Sequence, residues 1–248
     1  MGKTGRGGGL AGGAPVFRLA APSFHERVVA RAPLPSRFVF APQTTRFEPQ
    51  VILDYTSPQG PLVREVRAIV VHSSFAKLKE HGYYDDYMAK YPKALGLQVT
   101  QALAASWLPI EAVVAHYATL EAIGLNDSQI SRLTEEAGSG LFDHLFATIV
   151  RAVRNAGGGA GIWFGLKQGD RVMARIYNGG GMHVSQVGPK DALLEIRGLP
   201  AVTTRASRIS QVAFLRGVLS ITAKVCVVKV VPPSEQRSDY IRLSLSWV

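Results

Sequence analysis

Six histidines, one cysteine and two glycine clusters are the residues of this 248-residue chain whose types and spacing could do chemistry. A zinc or iron site needs ligands held together, as in an HExxH pair on one helix face. His25, His72, His81, His116, His144 and His183 lie far apart and form no such pair, so no metal site is expected. His116 sits between Ala115 and Tyr117. Asp143-His144 is an adjacent pair whose side chains diverge by about 100° on a helix. Each reads as a surface or satisfied core histidine, with haem ligation the alternative for His116 or His144. The only thiol, Cys226, lies in Val225-Cys226-Val227-Val228, where burial raises its pKa and makes it a small hydrophobe rather than a nucleophile. Ser73-Ser74 beside His72 lacks a Gly-x-Ser-x-Gly elbow. Gly2-Lys3-Thr4 has no strand before it, and Gly157 to Gly161 follow a helix rather than a strand, so neither cluster is a phosphate loop. No catalytic residue is assigned.

The composition sets the frame for these residues. The chain is 47% hydrophobic and 19% charged with mean hydropathy +0.10, which predicts a real core. A single cysteine excludes an internal disulfide framework and favours a reducing, cytoplasmic compartment. No run approaches eighteen apolar residues, so no spanning helix is expected. The net charge of +10 permits nucleic-acid contact, and its distribution matters more than its size. Residues 1–50 hold seven Lys and Arg, among them Arg6, Arg18, Arg27 and Arg31, against Glu26 and Glu48. With seven glycines in the first fifteen residues and Pro15, Pro22, Pro33, Pro35, Pro42 and Pro49 beyond, this segment predicts a flexible basic arm. Residues 51–248 are then one folded domain.

In that domain, Val63, Val66, Ile69, Val70, Phe75 and Leu78 predict a helix over 62–81. Short helices follow up to Tyr91 and from Lys93 to Ser106. Pro109, Glu111, Val113, Tyr117 and Leu120 mark a fourth, ended by Gly124. Asn126 or Asp127 caps a fifth that runs to Val153, with Gly138 and Gly140 as breakpoints. Residues 162–178 read as a helix in preference to a hairpin turning at Lys167-Gln168-Gly169-Asp170. Met182 to Val187 and Ala192 to Arg197 form a hairpin, Ser207 to Leu219 a helix, and Thr222 to Val231 with Tyr240 to Val248 a second hairpin. The fold class is α+β: five or six helices packed on a small antiparallel sheet of two hairpins with a helix between them.

Two kinds of binding remain. Ile110 to Gly124, a short turn and Asp127 to Leu133 have the cadence of a helix-turn-helix, in which Ser128, Gln129 and Arg132 would face a major groove alongside the basic arm. Glu135 and Glu136 follow at once and would repel phosphates. Apolar helix faces with few convergent polar groups favour a protein interface or a hydrophobic cavity, with Trp107, His116, Trp163 and Phe164 as lining or anchor residues.

Several segments together resemble a known group. These are Val63-Arg64-Glu65-Val66 opening a helix, Ser106 to Glu111 before another, Gly188 to Glu195 in a hairpin, Ala213 to Leu219 as a late helix, and the terminal Ser244-Leu245-Ser246-Trp247. In that order they resemble a domain family expanded in myxobacteria, itself similar to the vinyl-reductase-like, haem-NO-binding and TRAPP domains. The resemblance covers about residues 60–248. It implies a helical layer on an antiparallel sheet, a helix rather than a hairpin at 170–178, and a unit that binds a ligand or another subunit. Haem-NO-binding domains hold the propionates with a Tyr-x-Ser-x-Arg motif, whereas Tyr55-Thr56-Ser57-Pro58-Gln59 lacks the Arg. On that ground haem is not carried over and no cofactor is expected. The lipid-bearing Cys of TRAPP has no matching motif around Cys226. The sequence thus predicts a non-enzymatic regulatory or scaffold module that binds a protein partner, a second copy or a small apolar ligand, with nucleic-acid binding as the alternative.

Overall fold

The computed structural model describes residues 47–55, 61–232 and 238–248, apart from the side chains of 142–145. The basic arm up to residue 46, with Arg6, Arg18, Arg27 and Arg31, lies outside them. So do Thr56 to Gln59 and the side chain of His144. Among the described residues nine helices pack on two small antiparallel sheets, an α+β architecture. None of the helices is long and apolar enough to cross a membrane.

The strands are β1 (Gln50–Leu53), β2 (Glu65–Arg67), β3 (Trp107–Pro109), β4 (Tyr177–Asn178), β5 (Gly181–Gly188), β6 (Asp191–Arg197), β7 (Cys226–Val231) and β8 (Tyr240–Trp247). The larger sheet runs β1-β5-β6-β8-β7. Its registers set Val184 opposite Leu194, Leu194 opposite Leu243, and Leu243 opposite Val230. Directly opposed residues share a face, so the strict alternation of Ile241, Leu243, Leu245 and Trp247 places one apolar row against the helices.

The helices are α1 (Ala68–Glu80), α2 (Tyr84–Lys90), α3 (Lys93–Gln101), α4 (Glu111–Ala122), α5 (Asp127–Leu145), α6 (Ala147–Ala156), α7 (Gly158–Lys167), α8 (Gly169–Ile176) and α9 (Arg205–Leu219). Asn126 caps α5. Its Oδ1 accepts from Gln129 N at 3.0 Å while Gln129 Oε1 accepts from Asn126 N at 2.9 Å, a reciprocal capping box. The helix then runs through Gly138 and Gly140 and breaks only before Phe146. Gly157, at φ +66°, ends α6 and immediately precedes α7. The helix expected over 162–178 is present as two pieces parted at Gln168 that span 158–176, and its last two residues, Tyr177 and Asn178, are instead strand β4.

The sequence reading misses the smaller sheet, β3-β2-β4. Residues 65–67, expected inside a helix, instead pair on one side with Trp107–Pro109 and on the other with Tyr177 and Asn178. Strands this short show no period of their own. Partners far along the chain fix them: Arg64 N donates to Asn178 O at 2.9 Å, and Ile110 N to Arg64 O at 2.9 Å. The segment 61–63 then crosses the turns at Gly179-Gly180 and Gly198, with Val63 N donating to Gly198 O at 2.7 Å. A Cβ at Gly179 would strike Leu62 O, and one at Gly198 would strike Pro61 O.

Candidate functional site

Five helices and the sheet enclose a cavity of about 80 Å³. Its apolar walls come from Leu78 of α1, Leu133 of α5, Val172, Met173 and Ile176 of α8, and Met182 of β5. Polar groups gather at His116 and Tyr117 of α4, Thr134 of α5, Tyr177 of β4, and Ser210 and Gln211 of α9. Tyr117 is hydrogen-bonded to Ser210, Tyr177 to Gln211, and Thr134 Oγ1 donates to Ser210 Oγ at 2.9 Å.

Behind His116 stands an aromatic cluster. Phe75 meets Tyr87 and Tyr91 edge-on at 5.4 and 5.9 Å, and Tyr87 stacks on Tyr91 at 5.2 Å. The Tyr87 hydroxyl shares a 2.8 Å hydrogen bond with His116 Nδ1, and Tyr91 OH donates to Ala112 O at 2.9 Å. Burial lowers the His116 pKa to about 4 and raises those of Tyr87 and Tyr117, with Tyr177 pushed up to about 12. Every one of these groups is therefore neutral at pH 7.

A second cavity, of about 70 Å³, lies between α6, α7, α9 and the sheet. Val172, Met182, Phe214 and Leu215 belong to the walls of both cavities. Among the described residues Thr222 is its one hydroxyl-bearing lining residue, and the Thr222 Oγ1 atom is buried without a hydrogen-bond partner there. Among the described residues neither cavity is lined by a carboxylate, a thiol or a cation, and these residues form an apolar enclosure with a neutral polar end.

The structure separates the residues singled out from sequence. His116 lines the first cavity. Trp107 lies in β3 under the Arg67 guanidinium, 3.8 Å from the ring centroid. Trp163 packs edge-on against Trp247 at 4.8 Å, and Phe164 is exposed on α7. Ser128 Oγ donates to Asn126 Oδ1, Gln129 Nε2 to Tyr83 OH, and Arg132 reaches His81 Nδ1 at 3.5 Å. The polar face proposed for a DNA groove is thus engaged in holding α5 to its cap and to its neighbours. Cys226 is half-buried, and burial raises its pKa. One arrangement was not anticipated: Ser185 Oγ, His183 and Asp54 form a hydrogen-bonded row, 2.9 Å to Nε2 and 3.3 Å from Nδ1, on the outer sheet face. Neither cavity includes it, and Asp54 is largely exposed.

No family model matches the chain, and no curated protein matches it. Solved structures do match. One, described as modulating haem redox potential through protein-induced porphyrin distortion, aligns with TM-score 0.50 at 11% identity over 73% of this chain and 99% of its own. A second, from work on haem distortion in the H-NOX family, aligns with TM-score 0.50 at 13% identity over 73% and 94%. A third, an oxygen-binding H-NOX domain related to soluble guanylate cyclases in its oxygen complex, aligns with TM-score 0.50 at 11% identity over 73% and 94%. The chain therefore has an H-NOX-like fold, and at these identities the likeness is one of fold. It corrects the expectation that no cofactor, haem included, bears on this protein, because the structures sharing its architecture are haem domains. The missing Tyr-x-Ser-x-Arg motif speaks to one way of gripping propionates.

Proposed function

We propose that the chain is a non-enzymatic sensor module that takes a small apolar ligand into the cavities between α4, α5, α8 and α9 and signals its occupancy to a protein partner. The observation that carries this reading is the enclosed apolar space ending in neutral, hydrogen-bonding groups around His116. The H-NOX-like fold supports it, and so does the motif order, which resembles a domain family similar to the vinyl-reductase-like, haem-NO-binding and TRAPP domains that bind a ligand or another subunit. Occupancy acts on a partner only through differential binding to two conformations. The half-buried Phe214 and the buried but flexible Met182, both shared by the two cavities, are the groups able to rearrange.

Haem is the first ligand to test. The donor chemistry fits: His116 is neutral, lines the cavity, and has Nδ1 held by Tyr87, so its Nε2 would be the atom to hold the iron. The walls are apolar. Ligand pockets usually run to about 300–1,000 Å³, so Met182 and Phe214 must move aside and join the two cavities before a macrocycle enters. When bound, haem would supply an iron centre able to take up a small gas. The expected result of titrating the full chain with haemin is a saturable Soret shift at one haem per chain, lost in His116→Ala. An unshifted Soret band, or one identical in His116→Ala, sinks the haem assignment.

A further inference from the structure

On the solvent side of α9, a groove of about 460 Å³ runs between α5, α6 and α9. Phe214 lines this groove and also both internal cavities. Thr134 and Gly138 are common to the groove and the first cavity, Val150 and Ile221 to the groove and the second. One half-buried aromatic ring therefore stands between water and both chambers. Beside it, a Cβ at Gly217 would meet nothing within 4 Å, so the groove is open at that position. Rotation of such a side chain needs no movement of the helix that carries it.

The groove differs from the chambers in charge. Its rim holds Arg154 and Arg216, both exposed. Arg216 NH1 lies 3.4 Å from Glu135 Oε1, and Arg154 makes no ion pair among the described residues. A carboxylate drawn into either chamber would lose its hydration with no cation among the described lining residues to replace it, whereas at the rim it stays hydrated and meets the Arg154 guanidinium, with Arg216 shared with Glu135.

We infer that Phe214 is the gate of the entry route, and that the ligand is an amphipathic monoanion whose apolar body passes Phe214 into the chambers while its carboxylate rests at Arg154 and Arg216. This inference rests on the reading of the cavities as a ligand site, and it names the class of ligand. Two small chambers with a shared wall, joined once Phe214 moves aside, suit a medium-length alkyl chain, which makes octanoate and its neutral counterpart 1-octanol the probes.

Calorimetric titration of the full chain with each probe tests the inference. Octanoate is expected to bind at least about tenfold more tightly than 1-octanol, a difference that disappears in Arg154→Ala/Arg216→Ala while 1-octanol binding is unchanged. Phe214→Ala should speed octanoate entry and release by a similar factor in NMR exchange measurements, and Phe214→Leu provides the same comparison if the alanine variant does not fold. Equal affinities for the two probes, or a preference that survives the double variant, overturns the ligand class and leaves the cavity reading standing. Entry rates unchanged in both Phe214 variants overturn the gate. Binding of benzene in the cavities without either octyl probe removes this inference alone, whereas failure of all three removes it together with the reading beneath it.

Discussion

Gly198→Ala is expected to destabilise the fold by about 2–5 kcal/mol, a large part of the roughly 5–15 kcal/mol that holds a domain of this kind together. Gly198 sits at φ +77°, a conformation that costs an L side chain about 1–2 kcal/mol. Its new Cβ would fall on Pro61 O, 3.0 Å from Pro61 C and 3.1 Å from Gly180 Cα. All of these are backbone atoms, so no side chain can turn away to relieve the overlap. Relief requires the segment 61–63 to lift off the turn, which stretches the Val63 N to Gly198 O bond and loosens β2 behind it. Overpacking of this kind adds about 1–3 kcal/mol. Urea unfolding measures the effect as a lower midpoint with an unchanged slope. Gly217→Ala, in open space within α9, is the control and is expected to leave the midpoint level or slightly raised. A Gly198→Ala midpoint within error of the parent would contradict this account of the crossing.

The second large effect depends on pH. His116 has its pKa lowered to about 4 by burial, against 6.5 when unfolded. Between those values the unfolded chain binds a proton that the folded chain refuses, so stability is fully present above pH 6.5 and falls as the pH drops towards 4. A shift of this size corresponds to about 3 kcal/mol lost across that window. Its partner gives no relief. The Tyr87 hydroxyl, held neutral by burial, shares the His116 Nδ1 hydrogen bond, and a buried imidazolium would have no carboxylate beside it in the cavity wall. Urea midpoints of the parent and His116→Gln, measured from pH 7 to pH 4.5, are expected to converge at the acid end, because glutamine retains hydrogen-bonding groups and does not titrate. Parallel slopes in the two proteins would show that His116 is not the group responsible.

Much of this fold was legible because it follows from local period. The alternation of Ile241, Leu243, Leu245 and Trp247, the hairpin of β5 and β6, the cap before α5 and the stripe of α4 each involve residues close in sequence whose pattern states which face is covered. What escaped was set by distance. Glu65–Arg67 become a strand only because Trp107–Pro109 and Tyr177–Asn178 arrive on either side, contacts that no local window contains. The site divides in the same way. His116 was visible as an unusual residue on an apolar helix. Tyr177 was not, because its role depends on reaching Gln211 from another element. A signal for the polar end was nevertheless present in α9. Ser207, Ser210 and Gln211 occupy its covered face, while the apolar Ile209 and Val212 are only partly buried. Polar residues at buried helical positions indicate a hydrogen-bonding cluster or a cavity, and here Ser210 and Gln211 line one.

The claim that the enclosed space is a ligand site is tested most directly by the methyl spectrum of ¹³C-methionine-labelled full chain during titration with benzene. Met173 and Met182 line the first cavity and Met182 also the second, whereas Met88 packs beside Gly96 and serves as an internal control. The account predicts saturable shifts of Met173 and Met182 with Met88 unmoved. Static Met173 and Met182 signals, or shifts of all three that grow linearly without saturating, would contradict it.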